Sequence, residues 1–224
     1  SKETWNENGN NFEWYNLEER GVGLSRNNAL LRATGNILLF ADDDVRYIDN
    51  YEKIIQTEFE KRKDAELILF NVESTNKNRP EYIDQKFHKV HFYNYLRYGT
   101  FRIAVKKNSI RKHNISFSLL FGGGSKYSSG EDSLFLTECL KKNMKIYASE
   151  QQIGYVDHRE STWFKNYDEK YFYDKGALFS AISRRFSMAL CLQYCIRHKD
   201  VCKELGLKQA YKSMLKGLRE YERW

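Results

Sequence analysis

The chain has 224 residues, 41% of them hydrophobic and 15% aromatic, with a formal net charge of +7 and a sequence pI of about 9.1. That length suffices for one sizeable α/β domain, or a domain with a helical extension, and that hydrophobic share excludes a disordered chain. No apolar run approaches the roughly 20 residues of a membrane span, the polar start Ser1-Lys2-Glu3-Thr4-Trp5 resembles no signal peptide, and the positive balance favours anionic partners without choosing among nucleotide phosphates, a membrane surface and nucleic acid.

The chain opens in the polar stretch Asn6-Glu7-Asn8-Gly9-Asn10-Asn11, as if entering a fold already under way. Gly21-Val22-Gly23-Leu24-Ser25-Arg26 begins like a dinucleotide fingerprint, but Arg26 stands where the third glycine belongs and no strand clearly precedes it. That excludes a Rossmann dinucleotide site. Arg26 reads either as a contact to a phosphate region or as half of a structural ion pair. Residues 25–34 predict a helix, with Ser25 as N-cap and Gly35 as its stop. Residues 36–41 predict a buried strand that ends abruptly in Asp42-Asp43-Asp44. One aspartate would cap the following helix. Three carboxylates in a row repel one another unless a cation lies among them, and hard oxygen ligands suit magnesium or manganese.

Residues 48–63 carry apolar positions at helical spacing, with acids early and Lys61-Arg62-Lys63 late, as the helix dipole prefers. Leu67 to Val72 is a second buried strand, so the pattern helix–strand–helix–strand predicts a mostly parallel sheet. Residues 86–106 alternate and predict strands, some antiparallel. Gly122-Gly123-Gly124 predicts a loop that lets a ligand approach the backbone. Residues 131–142 predict a helix opening on Glu131-Asp132, where a carboxylate serves either as a cap or as a general base. Residues 145–148 and 153–156 predict two short strands, followed by His158 among polar residues. From about residue 168 the pattern is helical to the end. The cysteines, Cys139, Cys191, Cys195 and Cys202, complete no zinc pattern and read as reduced thiols in a cytosolic protein.

Three segments in order, Gly23 to Leu30 with Ala33 to Asp44, then Gly130-Glu131-Asp132, then His158, resemble the family 2 glycosyltransferases of the GT-A fold. The similarity runs from about residue 18 to residue 165. It implies an α/β, Rossmann-like, mixed and mostly parallel sheet flanked by helices over residues 1–167, with a C-terminal helical extension over 168–224. It implies an inverting transferase that moves a sugar from a nucleoside-diphosphate sugar, a UDP-sugar first among them, to a hydroxyl of a glycan or lipid-linked glycan in bacterial surface polysaccharide synthesis. Asp132 matches the family's catalytic base. Asp44, Asp42 and His158 match the ligands of a Mn2+ or Mg2+ ion. Arg26, Asp42 and Asp43 are the expected nucleotide-sugar contacts, and Gly123, Gly124, Glu131 and Trp163 the expected acceptor contacts. A base on a helix N-terminus is expected to have a low pKa.

Family members usually begin with a strand ending in a Pro-x-Tyr-Asn-like segment and carry a second acidic motif, which together build the nucleobase pocket. Neither is in this chain, so the resemblance implies a first layer that is absent or supplied otherwise. Expected location is cytoplasmic, with a peripheral contact to the inner membrane face through the basic, apolar-faced helices near Arg184-Arg185 and Arg197-His198-Lys199. Three rival readings remain. A single-stranded nucleic-acid binder would use the basic and aromatic residues and need neither Asp42 nor Asp44. A nucleotidyltransferase would need a Gly- and Lys/Arg-rich triphosphate loop near its start. An inactive fragment or interaction module would need no site at all.

Overall fold

The computed structural model describes residues 1–18, 20–158 and 166–223. It begins with a hairpin, β1 (Lys2–Glu7) and β2 (Asn10–Tyr15), closed by Asn8 and Gly9 at φ 51° and 80°. Both turn residues at positive φ make a two-residue hairpin whose twist matches its strands. The stretch read as a polar opening is therefore structure, and Asn-Gly was its signal. Its aromatic side chains Trp5, Phe12 and Trp14 stay exposed, and a groove lies between the hairpin and the next helix.

That helix, α1 (Val22–Arg32), starts three residues before the predicted Ser25 cap. Its first amide is satisfied by a distant carbonyl instead: Val22 N–H donates to Gly123 O at 3.0 Å. It ends before Gly35, with Ala33 as C-cap. There follow β3 (Ile37–Leu39), β4 (Val45–Tyr47), α2 (Tyr51–Lys61), β5 (Leu67–Ser74), the two-residue β6 (His88–Lys89), β7 (Ile103–Lys106), α3 (Lys107–His113), α4 (Glu131–Lys141), β8 (Ile146–Val156), α5 (Glu169–Ile182), α6 (Ser187–Arg197) and α7 (Leu207–Glu222).

The main sheet has the order β3-β7-β5-β8-β4, with β6 also on β8. The mixed α/β class stands, but only β5 and β8 pair in parallel. The reason lies in β7. The α2 crossover does set β3 and β5 in one direction, as the helix–strand pattern requires, but β7 inserts between them antiparallel to both. Residues 86–102 are mostly irregular, with 3-10 turns at Tyr95–Arg97 and Thr100–Arg102 in place of strands. The two short strands expected after residue 145 are one strand, β8. Its pairing with β5 shifts register near Asn71, so the polar run Ser149-Glu150-Gln151 is carried as an irregularity rather than a break.

Strand alternation sorts the core. Leu67 and Leu69 face α4 and the aromatic pair Phe117 and Phe135, while Ile68, Phe70 and Val72 face Ile55 and Phe59 of α2. A third cluster joins Phe121 and Tyr127 of the glycine-rich loop to α5, α6 and α7. Helices α5 and α7 cross at Gly176 and Gly217, where an added Cβ would lie 1.9 Å from Met214 O and Tyr173 O respectively. No larger residue permits that approach. All four cysteines are buried and free, consistent with reduced thiols. No helix among the described residues is long and apolar enough to cross a membrane.

A buried arginine, Arg102, organises a polar cluster beside β5. The Arg102 guanidinium donates from Nε to Phe70 O at 2.7 Å, from one Nη to Tyr82 O at 2.7 Å, and from the other to Asn71 Oδ1 at 2.8 Å and Asp84 Oδ2 at 3.1 Å. Tyr98 donates its hydroxyl to Asp84 Oδ1 at 3.0 Å, and its ring lies 4.9 Å from the guanidinium. This cluster pins the irregular segment 82–102 to β5, so it fixes where Glu81 and Arg97 sit.

Candidate active site

The sheet delivers Asp42-Asp43-Asp44 in the tight connection between β3 and β4. Val45 N–H donates to Asp42 O at 3.2 Å, and Asp157 N–H donates to Asp44 O at 3.0 Å. The second bond ties the acidic turn to the end of β8 and brings His158 near Asp44. Asp43 is exposed. Burial, with the adjacent charges of Asp42 and Asp43, raises the Asp44 carboxyl above its usual range, and His158 lowers it.

Glu131 and Asp132 enter from α4, whose N-cap Gly130 sits at φ 111°. An added Cβ there would lie 2.7 Å from Leu178 of α5, so the turn needs glycine on two counts. Arg26 of α1 joins the two acidic motifs. One of its terminal nitrogens donates to Asp42 Oδ1 at 2.8 Å and the other to Glu131 Oε1 at 3.0 Å. Only 13% of its side chain is exposed, and it lies over the Phe117 ring. A guanidinium with two separate arms suits this bridging task better than an ammonium. Of the two readings of Arg26, the ion pair is what the structure contains, at a place where it also orients both motifs.

Asp132 lies beside this bridge. Its Oδ1 accepts from Ser133 N–H at 2.6 Å. The low pKa expected from the helix start is reversed: burial, then the Glu131 charge, push Asp132 up to about 6, while Arg26 and Lys175 pull the other way. The balance is physical. A helix terminus contributes about 0.3–1 kcal/mol, less than one pKa unit, whereas desolvation and a like charge move a carboxyl by several units.

Other expected contacts are placed less simply. Gly123 spends its carbonyl on α1, and Gly124 is exposed at φ 80°. Glu131 faces Arg26 and lies against Gly122. His158 Nε2 lies 2.8 Å from Glu81 Oε1, with its ring edge-on to Phe101. Trp163 lies outside the described residues. Among the described residues no three His, Cys, Asp or Glu side chains converge as a metal cluster. Asp42 is engaged by Arg26 and His158 by Glu81, and Asp44 keeps a carboxylate without an ion pair among the described residues.

Sequence reasoning missed Lys175 of α5. Half-buried, it stands 5.3 Å and 5.6 Å from the ring centres of Tyr171 and Tyr194 and faces a cavity of about 650 Å³ that Ser133 also lines. The signal was a lysine at helical spacing within the apolar stripe Tyr171, Leu178, Phe179 and Ile182.

No protein-family model matches the sequence, and no curated protein matches it. Solved structures do. Residues 1–349 of S. aureus TarS in complex with UDP-GlcNAc match with a TM-score of 0.57 at 15% identity, over 92% of this chain and 74% of that one. The same segment in complex with UDP gives 0.55 at 15% identity, over 92% and 73%. A longer S. aureus TarS chain gives 0.55 at 16% identity, over 92% and 44%. At that identity the likeness concerns the fold, and the fold is of the GT-A glycosyltransferase type.

Proposed function

We propose that this chain is an inverting, metal-dependent glycosyltransferase that moves a sugar from a nucleoside-diphosphate sugar to a hydroxyl of a glycan acceptor, in bacterial surface polysaccharide synthesis. The observation that carries the reading is the Arg26 bridge. It draws an acidic turn at a strand end and a carboxylate with a pKa near neutrality into one site, on a fold shared with a UDP-GlcNAc complex.

Asp132 is the base. A carboxylate that titrates at about 6 is ionised at neutral pH, yet basic enough to take a hydroxyl proton as the bond to carbon forms. Its oxygen receives that proton while the acceptor oxygen attacks the anomeric carbon and the nucleoside diphosphate leaves from the opposite face. That is a single displacement with inversion. Arg26 holds Asp42 and Glu131 in place and supplies positive charge beside Asp132. Asp44 is the residue that would hold Mn2+ or Mg2+, joined by Asp42 and His158 if they exchange their present partners; such an ion supplies charge stabilisation to the diphosphate leaving group. Magnesium sites are commonly built on one or two carboxylates, with water and phosphate completing the shell, so this role does not require a three-ligand cluster among the described residues.

Location at the cytoplasmic face of a membrane belongs to the same proposal. Its support is the exposed stripe Met188, Leu192 and Ile196 on α6, four residues apart, beside Arg184 and Arg185.

The test is Asp132→Asn. Donor nucleotide binding, read by calorimetry, is expected to stay within about twofold, while sugar transfer falls by at least 10²-fold. Transfer surviving in this variant, or donor binding lost with it, contradicts the base assignment.

A further inference from the structure

The reaction described above does not use the cavity lined by Lys175. Its floor is α5, its sides are α6 and the segment 92–97, and one corner is Ser133, next to Asp132. Four cationic or potentially cationic side chains line it: Arg97, Lys175, Arg197 and His198. No acid lines it. The acids whose charges reach these groups are Asp132 and Asp174 at Lys175, and Asp200 at His198.

Lys175 is the informative member. Asp174, its neighbour in sequence, points elsewhere: its carboxylate accepts from the Ser128 amide and hydroxyl and pairs with Lys170. The Lys175 ammonium is left with two tyrosine rings and no ion-pair partner among the described residues. The hydroxyls of those tyrosines bond each other at 2.7 Å. Burying an unpaired ammonium is costly, and the cations here disfavour one another. Burial lowers the proton affinity of Lys175, and burial together with the charges of Arg197 and Lys175 lowers that of His198. An anion relieves all of this at once.

We propose that this cavity binds a phosphate ester, with Lys175 gripping the anion from the floor and Arg97 and Arg197 from the rim. The volume of about 650 Å³ suits a ligand larger than phosphate alone, and the apolar walls Phe92, Leu178, Phe179 and Ile182 fit an organic body attached to it. Ser133 at one corner is the chain neighbour of Asp132, and Lys175 feels the Asp132 charge, so the cavity lies beside that carboxyl. We therefore assign the phosphate ester held there as the acceptor, which carries a phosphate near the hydroxyl that reacts. That assignment rests on the transferase reading; the anion site does not.

The test titrates the chain with sn-glycerol 3-phosphate, with glycerol as its neutral counterpart, and with phosphatidylcholine vesicles containing or lacking phosphatidic acid. The first pair reads a soluble phosphate ester and the second a lipid one. The chain is expected to bind at least one phosphate-bearing probe and neither neutral probe. Lys175→Gln and the exposed Arg197→Gln each weaken that binding by about tenfold, while Lys212→Gln on α7 leaves it unchanged. The unfolding midpoint of Lys175→Gln is followed in parallel, and Arg197→Gln keeps the test decisive if that variant misfolds. UDP binding is expected to be the same in both variants as in the parent. Absence of binding to either phosphate probe overturns the proposal. So does parental phosphate affinity in both variants, with Lys175→Gln only moving the pH at which Asp132 titrates, because Lys175 would then be a counter-charge alone. If phosphate binds as stated and no nucleotide binds, the transferase reading falls and the anion site stands.

Discussion

Replacing Arg102 by Met tests the buried cluster that ties the segment 82–102 to β5. Arg102 has no exposed surface, and neither does the Asp84 side chain it pairs with. The methionine fills much of the volume but removes the donors serving Phe70 O, Tyr82 O, Asn71 Oδ1 and Asp84 Oδ2. Asp84 then keeps Tyr98 as its one short donor, with His88 at 3.8 Å. Breaking a buried pair from one side costs about 3–5 kcal/mol, because the surviving charge is stranded. A domain stability of about 5–15 kcal/mol makes that a large fraction. At roughly 2–4 °C per kcal/mol for this chain length, the unfolding midpoint is expected to fall by roughly 6–20 °C. Calorimetry or circular dichroism reads it, and the double variant Arg102→Met/Asp84→Asn separates the causes. Once the partner charge is also gone, the double variant is expected to be more stable than the sum of the single effects predicts, by at least 1 kcal/mol. A single-variant loss within about 0.5 kcal/mol, as at an unremarkable surface site, would refute the argument.

Gly130→Ala places a Cβ against Leu178 at a backbone angle that L-residues rarely adopt, so it is expected to cost about 1–3 kcal/mol in chemical denaturation, with transfer falling alongside. Asp132 gives a pH signature. Its carboxyl is raised by burial, so the folded chain holds a proton that the unfolded chain has lost between pH about 4 and about 6, and ionised Asp132 destabilises the fold above that window. Asp132→Asn is therefore expected to raise the unfolding midpoint at pH about 7.5 and to change it less at pH about 4.5. Transfer by the parent is expected to rise with pH through about 6. Arg26→Gln removes a charge that holds the Asp132 carboxyl down, so that rise moves to higher pH; an unmoved profile contradicts the electrostatic role of the bridge.

Local chemistry made much of this legible. Buried strands and the acid-opened helix α4 were readable from apolar runs and from Gly130-Glu131-Asp132, because those signals are written in consecutive residues. What was not legible is tertiary. Ser25 is a good cap by type, yet the helix begins earlier because Gly123 O reaches Val22 from across the fold. The segment 86–106 alternates like strands, but Arg102 ties it to Phe70 O, Tyr82 O, Asn71 Oδ1 and Asp84 Oδ2 in a cluster that no periodicity encodes. Nothing in the spacing of Arg26, Asp42 and Glu131 announces that one guanidinium holds both acids. The low pKa expected for Asp132 followed from the helix end alone, and it failed because the groups that bury the carboxyl come from elsewhere in the chain.

The proposed transferase needs a donor site on the Asp42–Asp44 turn. Its most direct test is calorimetric titration of UDP, GDP and CDP into the chain with and without manganese, with Asp44→Ala as the comparison. One nucleotide, UDP first, is expected to bind in a manganese-dependent manner, and Asp44→Ala to abolish the dependence. Binding that ignores manganese, or that survives unchanged in Asp44→Ala, would contradict the proposal.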